Sequence, residues 1–149
     1  MKLISPAFSH NGAIPAKYTC DGENVSPALA WSGAPTGTNS FALIVDDPDA
    51  PAKVWVHWIL FNMPDTVNAL TENTDVGPFV QGKTDFDGKQ GYGGPCPPSG
   101  NHHYHFKLYA LDTLFDLPAG TSKEELLKAM HGHILEQTTL IGTYKKQSK

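Results

Sequence analysis

The first residue that could carry chemistry is a histidine inside the most apolar segment of the chain. His57 lies in the run 54–63, which is apolar on both of its alternating faces. A buried imidazole needs a hydrogen-bond partner for at least one of its nitrogens. His57 is therefore either a core histidine satisfied by a backbone carbonyl, which is the ordinary explanation, or a pocket residue that presents one nitrogen to a ligand.

Three carboxylates could bind a hard cation such as Ca²⁺, which prefers oxygen ligands. Asp46, Asp47 and Asp49 surround Pro48 at the end of a short apolar run. The proline and the lack of a twelve-residue loop motif argue against an EF-hand site. Aspartate side chains commonly cap turns, so we favour turn capping over a metal site.

His102, His103 and His105 raise the question of a zinc site. On a strand, His103 and His105 share one face while His102 points to the other. The chain offers no cysteine pair at the spacing of zinc ligands. We therefore predict neither a metal site nor a cofactor.

No motif predicts a catalytic nucleophile. The chain has neither a Gly-x-Ser-x-Gly turn nor a phosphate-binding Gly-x-x-x-x-Gly-Lys loop. Cys96 lies in the glycine- and proline-rich stretch 91–100, but its activation as a thiolate would need a nearby cation. For Cys20 and Cys96 we favour free thiols in a reducing cytoplasm over a disulfide. We predict a non-enzymatic protein without catalytic residues.

Composition limits the partners of the chain. Its 149 residues are enough for one domain, which we assign to 1–149. The net charge is −4 and all 11 basic residues are lysines, so we expect no nucleic-acid partner. No stretch is long and apolar enough for a membrane span, and Pro6 interrupts the N-terminus where a signal peptide would be apolar. We predict a cytoplasmic protein.

Apolar periodicity predicts the elements that must position these residues. A capping box at Ser122 and apolar residues at helical spacing predict one amphipathic helix. The stretch 64–100 is mostly loop, and so much loop in a compact domain indicates a functional site. Short strands and turn-rich connections favour a mainly β, antiparallel sandwich with a few short accessory helices. The predicted elements are strands at 40–45, 54–63, 101–112 and 140–144, and a helix at 122–137.

Three ordered motifs of the chain belong together: Asp47-Pro48-Asp49-Ala50-Pro51, Trp55-Val56-His57-Trp58, and Gly94-Pro95-Cys96-Pro97-Pro98-Ser99-Gly100-Asn101-His102-His103-Tyr104-His105-Phe106. They resemble the phosphatidylethanolamine-binding protein family, above all its compact bacterial branch, often called Raf-kinase-inhibitor-like. Segments near residues 18–31 and 132–144 also resemble that branch, so the likeness covers nearly the whole chain.

The resemblance implies a Greek-key β-sandwich with a small cavity that binds phosphate, a carboxylate or a phospholipid headgroup. It also indicates a homodimer. Kinase inhibition belongs to longer, eukaryotic members and is not assumed for this chain. Carried over residue by residue, the ligand-binding set is Asp47, Asp49 near the rim, His57, Cys96 through its backbone N–H, Pro97, Pro98, His102 and Tyr104.

The anion site needs a positive charge that arginine cannot supply here. We hypothesise that Asp47 accepts a hydrogen bond from His57 and keeps that ring charged. This pairing predicts tighter anion binding at pH 6 than at pH 8.

The predicted function is a small-anion-binding protein, consistent with a regulatory or inhibitory role toward kinases or peptidases. One alternative is a peptidase inhibitor that acts through an exposed loop, about 71–95, for which His57 is irrelevant. The other is a small hydrolase or isomerase that uses Asp47 and His57 as an acid–base pair.

Overall fold

The computed structural model describes residues 1–147, which form two facing β-sheets and one short α-helix. The mainly β fold class predicted from the sequence is confirmed. The elements are β1 (Lys2–Ile4), β2 (Gly12–Ala13), a 3₁₀ helix (Ala16–Tyr18), β3 (Leu29–Ser32), β4 (Ser40–Asp47), β5 (Trp55–Pro64), β6 (Ala69–Leu70), β7 (Val80–Gln81), β8 (Asn101–Leu111), α1 (Lys123–Met130) and β9 (Ile134–Lys145).

The smaller sheet has the strand order β1-β3-β6, and the larger has the order β2-β9-β8-β4-β5-β7. Their strand pairs are antiparallel with one exception, because β2 runs parallel to β9. The strands predicted at 40–45, 54–63 and 101–112 agree with β4, β5 and β8 to within two residues at each end.

Two hydrophobic cores lie on opposite faces of the larger sheet. The main core fills the space between the two sheets, and the second lies between the larger sheet and α1. Because strand side chains alternate, Leu43 enters the main core and its neighbour Ile44 enters the second. Two covered faces explain why β4 and β5 are continuous apolar runs rather than alternating ones.

The predicted helix 122–137 is correct at its start and wrong at its end. Ser122 and Glu125 form the expected capping box, in which each side chain accepts a hydrogen bond from the other residue's backbone N–H. The helix ends at Met130, and Gly132 then takes a positive φ of 84° that turns the chain. Ile134 fits the helical spacing only by coincidence, because it begins β9 and is 42% exposed. The strand predicted at 140–144 is therefore the second half of β9.

Candidate functional site

The candidate site lies at one end of the larger sheet, on the face toward the main core. β4 is antiparallel to both β5 and β8, so its last residue lies beside the first residues of both neighbours. Asp47 ends β4, whereas His57, His102 and Tyr104 lie near the starts of β5 and β8. Topology alone therefore gathers side chains that are far apart in the sequence.

His57 owes its position to a β-bulge. Val45 pairs with Trp58 and the next residue, Asp46, pairs with Val56, so His57 is an extra residue in β5. Bulges redirect a side chain relative to the regular alternation of a strand. The His57 ring lines the cavity, and its Nδ1 lies 2.7 Å from the carbonyl oxygen of Gly93.

A cavity of about 310 Å³ opens at this end of the sheet. Seven of the eight predicted ligand-binding residues line it; Asp49 does not. Its remaining lining is apolar and comes from the turn after β4, the start of β5 and the loop before β8. The lining residues are Asp47, Ala50, Pro51, Ala52, Trp55, His57, Phe86, Cys96, Pro97, Pro98, His102 and Tyr104.

Asp47 binds His102, so the predicted pairing of Asp47 with His57 is wrong. Nδ1 of His102 lies 2.6 Å from Oδ2 of Asp47, and the backbone N–H of Asp49 donates to Oδ1 of Asp47 at 2.8 Å. All three residues are at the junction of β4 and β8. The partner of Asp47 is thus set by the neighbouring strand β8, whereas the bulge directs His57 toward Gly93.

His57 is also not the charged ring that we expected. Burial lowers the pKa of His57 below its usual range, although the Gly93 carbonyl and the charges of Asp47 and Asp46 act in the opposite direction. The side chain is therefore neutral at pH 7. Since a carbonyl oxygen only accepts, Nδ1 carries the hydrogen, and Nε2 has a free lone pair.

Tyr104 packs against both histidines of the cavity. Its ring centroid lies 5.2 Å from that of His57 and 6.4 Å from that of His102. The Tyr104 hydroxyl is buried and has no hydrogen-bond partner among residues 1–147. Burial raises the pKa of Tyr104 far above its usual range, so the hydroxyl stays protonated and can donate a hydrogen bond to a ligand.

Asp49 lies outside the cavity lining. Its carboxylate accepts the backbone N–H of His103 and contacts Nδ1 of the same residue, both at 2.8 Å. These hydrogen bonds lower the pKa of Asp49. Through Oδ2, Asp49 therefore ties the turn after β4 to the start of β8, and its expected position near the rim of the cavity stays a prediction.

The prediction of free thiols is wrong, because Cys20 and Cys96 form a disulfide. The bond crosslinks the loop 91–100 to the segment after the 3₁₀ helix. Two hydrogen bonds lie beside it, from Cys20 N–H to the Pro95 carbonyl and from Gly94 N–H to Oδ1 of Asn24. The cavity wall at Pro97 and Pro98 follows directly after this anchored point. A donor role for the Cys96 N–H stays a prediction.

Five lining residues were not predicted, namely Ala50, Pro51, Ala52, Trp55 and Phe86. Ala50, Pro51 and Trp55 belong to the motifs that carried the resemblance, so their motif membership was a usable signal. Phe86 lies in a loop without any motif. It enters the site because its ring packs edge-on against His57 and Trp55, at 5.2 and 5.7 Å between centroids.

Two further features bear on the function. In residues 1–147, no group of three or more His, Cys, Asp or Glu side chains is arranged to hold a metal ion. In the same part of the chain, no helix has the length and apolar character needed to cross a bilayer.

Comparison with known proteins decides the family. A family profile described as phosphatidylethanolamine-binding protein matches residues 4–145. The chain belongs to this family. A UPF0098 protein of Methanothermobacter thermautotrophicus is 54% identical, over 98% of this chain and 99% of the relative.

Two solved structures of this family match the fold. The homolog CT736 of Chlamydia trachomatis superposes with a TM-score of 0.92 at 43% identity, with 97% of each chain covered. YbcL of E. coli, described as a member of the mammalian family, superposes with a TM-score of 0.91 at 33% identity, with 98% of each chain covered. The resemblance inferred from the motifs is confirmed.

Proposed function

We propose that this protein binds small phosphoryl or carboxylate anions, including phospholipid headgroups, in the cavity at the end of the larger sheet. The observation that carries the proposal is the Tyr104 hydroxyl, a buried donor without a partner among the described residues, on the lining of an apolar-walled cavity. Buried polar groups are nearly always hydrogen-bonded. An oxyanion would satisfy this donor.

The surroundings strengthen such a bond. Pro97 and Pro98 have no N–H groups, and Trp55 and Phe86 add apolar surface, so the local dielectric is low and a hydrogen bond to an anion is strong. His102 supplies a second donor whenever its ring is protonated. Asp47 accepts hydrogen bonds from His102 and from the Asp49 N–H and so fixes the orientation of the His102 ring.

We propose a binding role rather than catalysis. The hydrolase alternative uses Asp47 and His57 as an acid–base pair. Each of these side chains already binds a protein partner, His102 for Asp47 and the Gly93 carbonyl for His57, which favours a binding role. A regulatory or inhibitory role toward a kinase or a peptidase is a finer hypothesis that the family resemblance supplies.

An NMR titration of the histidine ring signals tests the proposal. Inorganic phosphate and phosphoethanolamine are added at pH 6 to wild type, to His57→Ala and to the control His133→Ala, whose ring pairs with Asp112 outside the cavity lining. We expect saturable shifts of the His57 and His102 signals in wild type and in the control. In His57→Ala the shift of His102 should weaken strongly.

Unchanged His57 and His102 signals at millimolar phosphate would contradict the proposal. Pull-down of a peptidase by both wild type and His57→Ala would then favour the inhibitor that acts through the loop 71–95. We do not expect this outcome. The Gly93 carbonyl of this loop accepts a hydrogen bond from His57, so a change at His57 should also affect the loop.

A further inference from the structure

One hydrogen-bonding group of the cavity, Nε2 of His57, can only accept a hydrogen bond. This property limits the chemical class of the ligand. The Gly93 carbonyl takes the Nδ1 hydrogen of His57 at 2.7 Å. In the neutral ring, Nε2 then has a lone pair and no hydrogen. The charged or titratable groups that face His57 are Asp47, Asp46 and Tyr104, and burial outweighs the two carboxylates in keeping the ring neutral.

The other polar groups of the cavity leave the ligand few choices. Each oxygen of Asp47 already accepts one hydrogen bond, Oδ2 from His102 and Oδ1 from the Asp49 N–H. The Tyr104 hydroxyl is a donor without a partner among residues 1–147, and the second nitrogen of His102 donates only when that ring is charged. A ligand therefore meets at least one donor, on Tyr104, and one group that can only accept, on His57.

On the basis of the proposed function, we infer that the cavity selects an anion that carries an O–H of its own, a singly protonated phosphate monoester, over a phosphodiester or a carboxylate. The ionised oxygen accepts from Tyr104, and the P–OH donates to Nε2 of His57. A diester or a carboxylate has only acceptor oxygens, so it leaves Nε2 unpaired and places lone pairs against it. Leaving a buried polar group unpaired is costly.

Size does not oppose this choice. A cavity of about 310 Å³ with alanine, proline and aromatic walls has room for a phosphate and a short alkyl substituent. An intact glycerophospholipid is excluded as the preferred ligand, because its phosphate is a diester. The ligand class is a soluble phosphate monoester.

Ethyl phosphate and dimethyl phosphate form a matched pair for the test. They are isomers, and their monoanions carry the same charge, but only ethyl phosphate has a P–OH. At pH 6 about half of the ethyl phosphate is in this form, since the second pKa of a phosphate monoester is about 6. Calorimetric titration of wild type with each compound gives the two Kd values.

We expect ethyl phosphate to bind about tenfold more tightly than dimethyl phosphate, as the loss of one buried hydrogen bond predicts. In His57→Phe, which removes the acceptor and keeps an aromatic ring, the ratio of the two Kd values should fall to near one. The ¹⁵N shifts of the His57 ring in wild type should show a protonated Nδ1 and a bare Nε2, a measurement that does not depend on any variant.

The outcomes are distinct. Equal affinities in wild type, or tighter binding of dimethyl phosphate, would overturn the inference and leave the anion-binding proposal intact. A hydrogen on Nε2 of His57 would also overturn it. Binding of neither compound would overturn the proposed function and the inference together.

Discussion

At the scale of single residues, the buried neutral His57 makes the stability of the protein depend on pH. Its pKa in the folded protein is lowered by burial, whereas in the unfolded chain it is about 6.5. Between these two values the unfolded state binds a proton that the folded state does not. The free energy of unfolding therefore falls as the pH decreases below about 6.5, by at most about 1.4 kcal/mol per pH unit for this one proton.

Urea unfolding between pH 7.5 and pH 5 checks this expectation. In His57→Phe the slope of the unfolding free energy against pH should be shallower than in wild type. His133→Ala is the control, because that histidine is exposed beside Asp112, and it should keep most of the slope attributed to His57. Identical slopes in wild type and His57→Phe would show that His57 does not titrate on unfolding.

The sequence predicted the residue types of the site but not their partners. Asp47, His57, His102 and Tyr104 were recognisable from motifs, and all four line the cavity. Which histidine Asp47 binds depends on the register between β4 and β8 and on the bulge at His57. Neither can be derived from residue spacing, because a shift by one residue moves a side chain to the other face of a sheet.

At the scale of elements, the Cys20–Cys96 disulfide anchors the loop that forms one wall of the cavity. The two cysteines are 76 residues apart in the sequence. A crosslink that closes a loop of this size stabilises by about 4.5 kcal/mol in the chain-entropy model. The double variant Cys20→Ala/Cys96→Ala should lose about this much unfolding free energy and bind phosphate more weakly, since Pro97 and Pro98 are less firmly placed.

The measurement is a urea titration with and without a dithiol reductant. We expect the reductant to lower the unfolding midpoint of wild type to that of the double variant and to leave the variant unchanged. A wild-type midpoint that does not respond to the reductant, together with a variant as stable as wild type, would contradict the assigned role of the disulfide.

The strands with strong apolar periodicity could be predicted from the sequence. The end of α1 could not, because the conformation of a single residue determines it. The apolar runs of β4 and β5 were found almost to the residue. The end of α1 was missed because the apolar pattern continues past Gly132, where a positive φ redirects the chain. The disulfide was missed because two cysteines give no indication of their distance in space. The expected cytoplasmic location rested partly on free thiols and stays a prediction.

At the scale of the whole molecule, the larger sheet separates two cores with different tasks. The main core supports the cavity, and the second core attaches α1 to the opposite face. Leu126 of α1 is fully buried in the second core, whereas its neighbour Leu127 is 36% exposed. Leu126→Ala should therefore cost about 2–5 kcal/mol of unfolding free energy, and Leu127→Ala clearly less.

Thermal unfolding and a phosphate titration of the folded variants test this separation. We expect both leucine variants to bind phosphate with a Kd within about twofold of wild type, because α1 contributes no residue to the cavity lining. A Leu126→Ala variant that stays folded but loses phosphate binding would show that the two cores are coupled.

The homodimer indicated by the resemblance is a separate prediction, which sedimentation equilibrium tests.

The most direct test of the anion site is the Kd of inorganic phosphate for Tyr104→Phe. The matched control is Tyr109→Phe, which removes a hydroxyl from the same strand on the opposite face of the sheet. If the buried Tyr104 hydroxyl is the anion donor, Tyr104→Phe should weaken phosphate binding about tenfold at pH 6 with no loss of thermal stability, and Tyr109→Phe should bind as wild type does. Equal phosphate affinity of Tyr104→Phe and wild type would contradict the account.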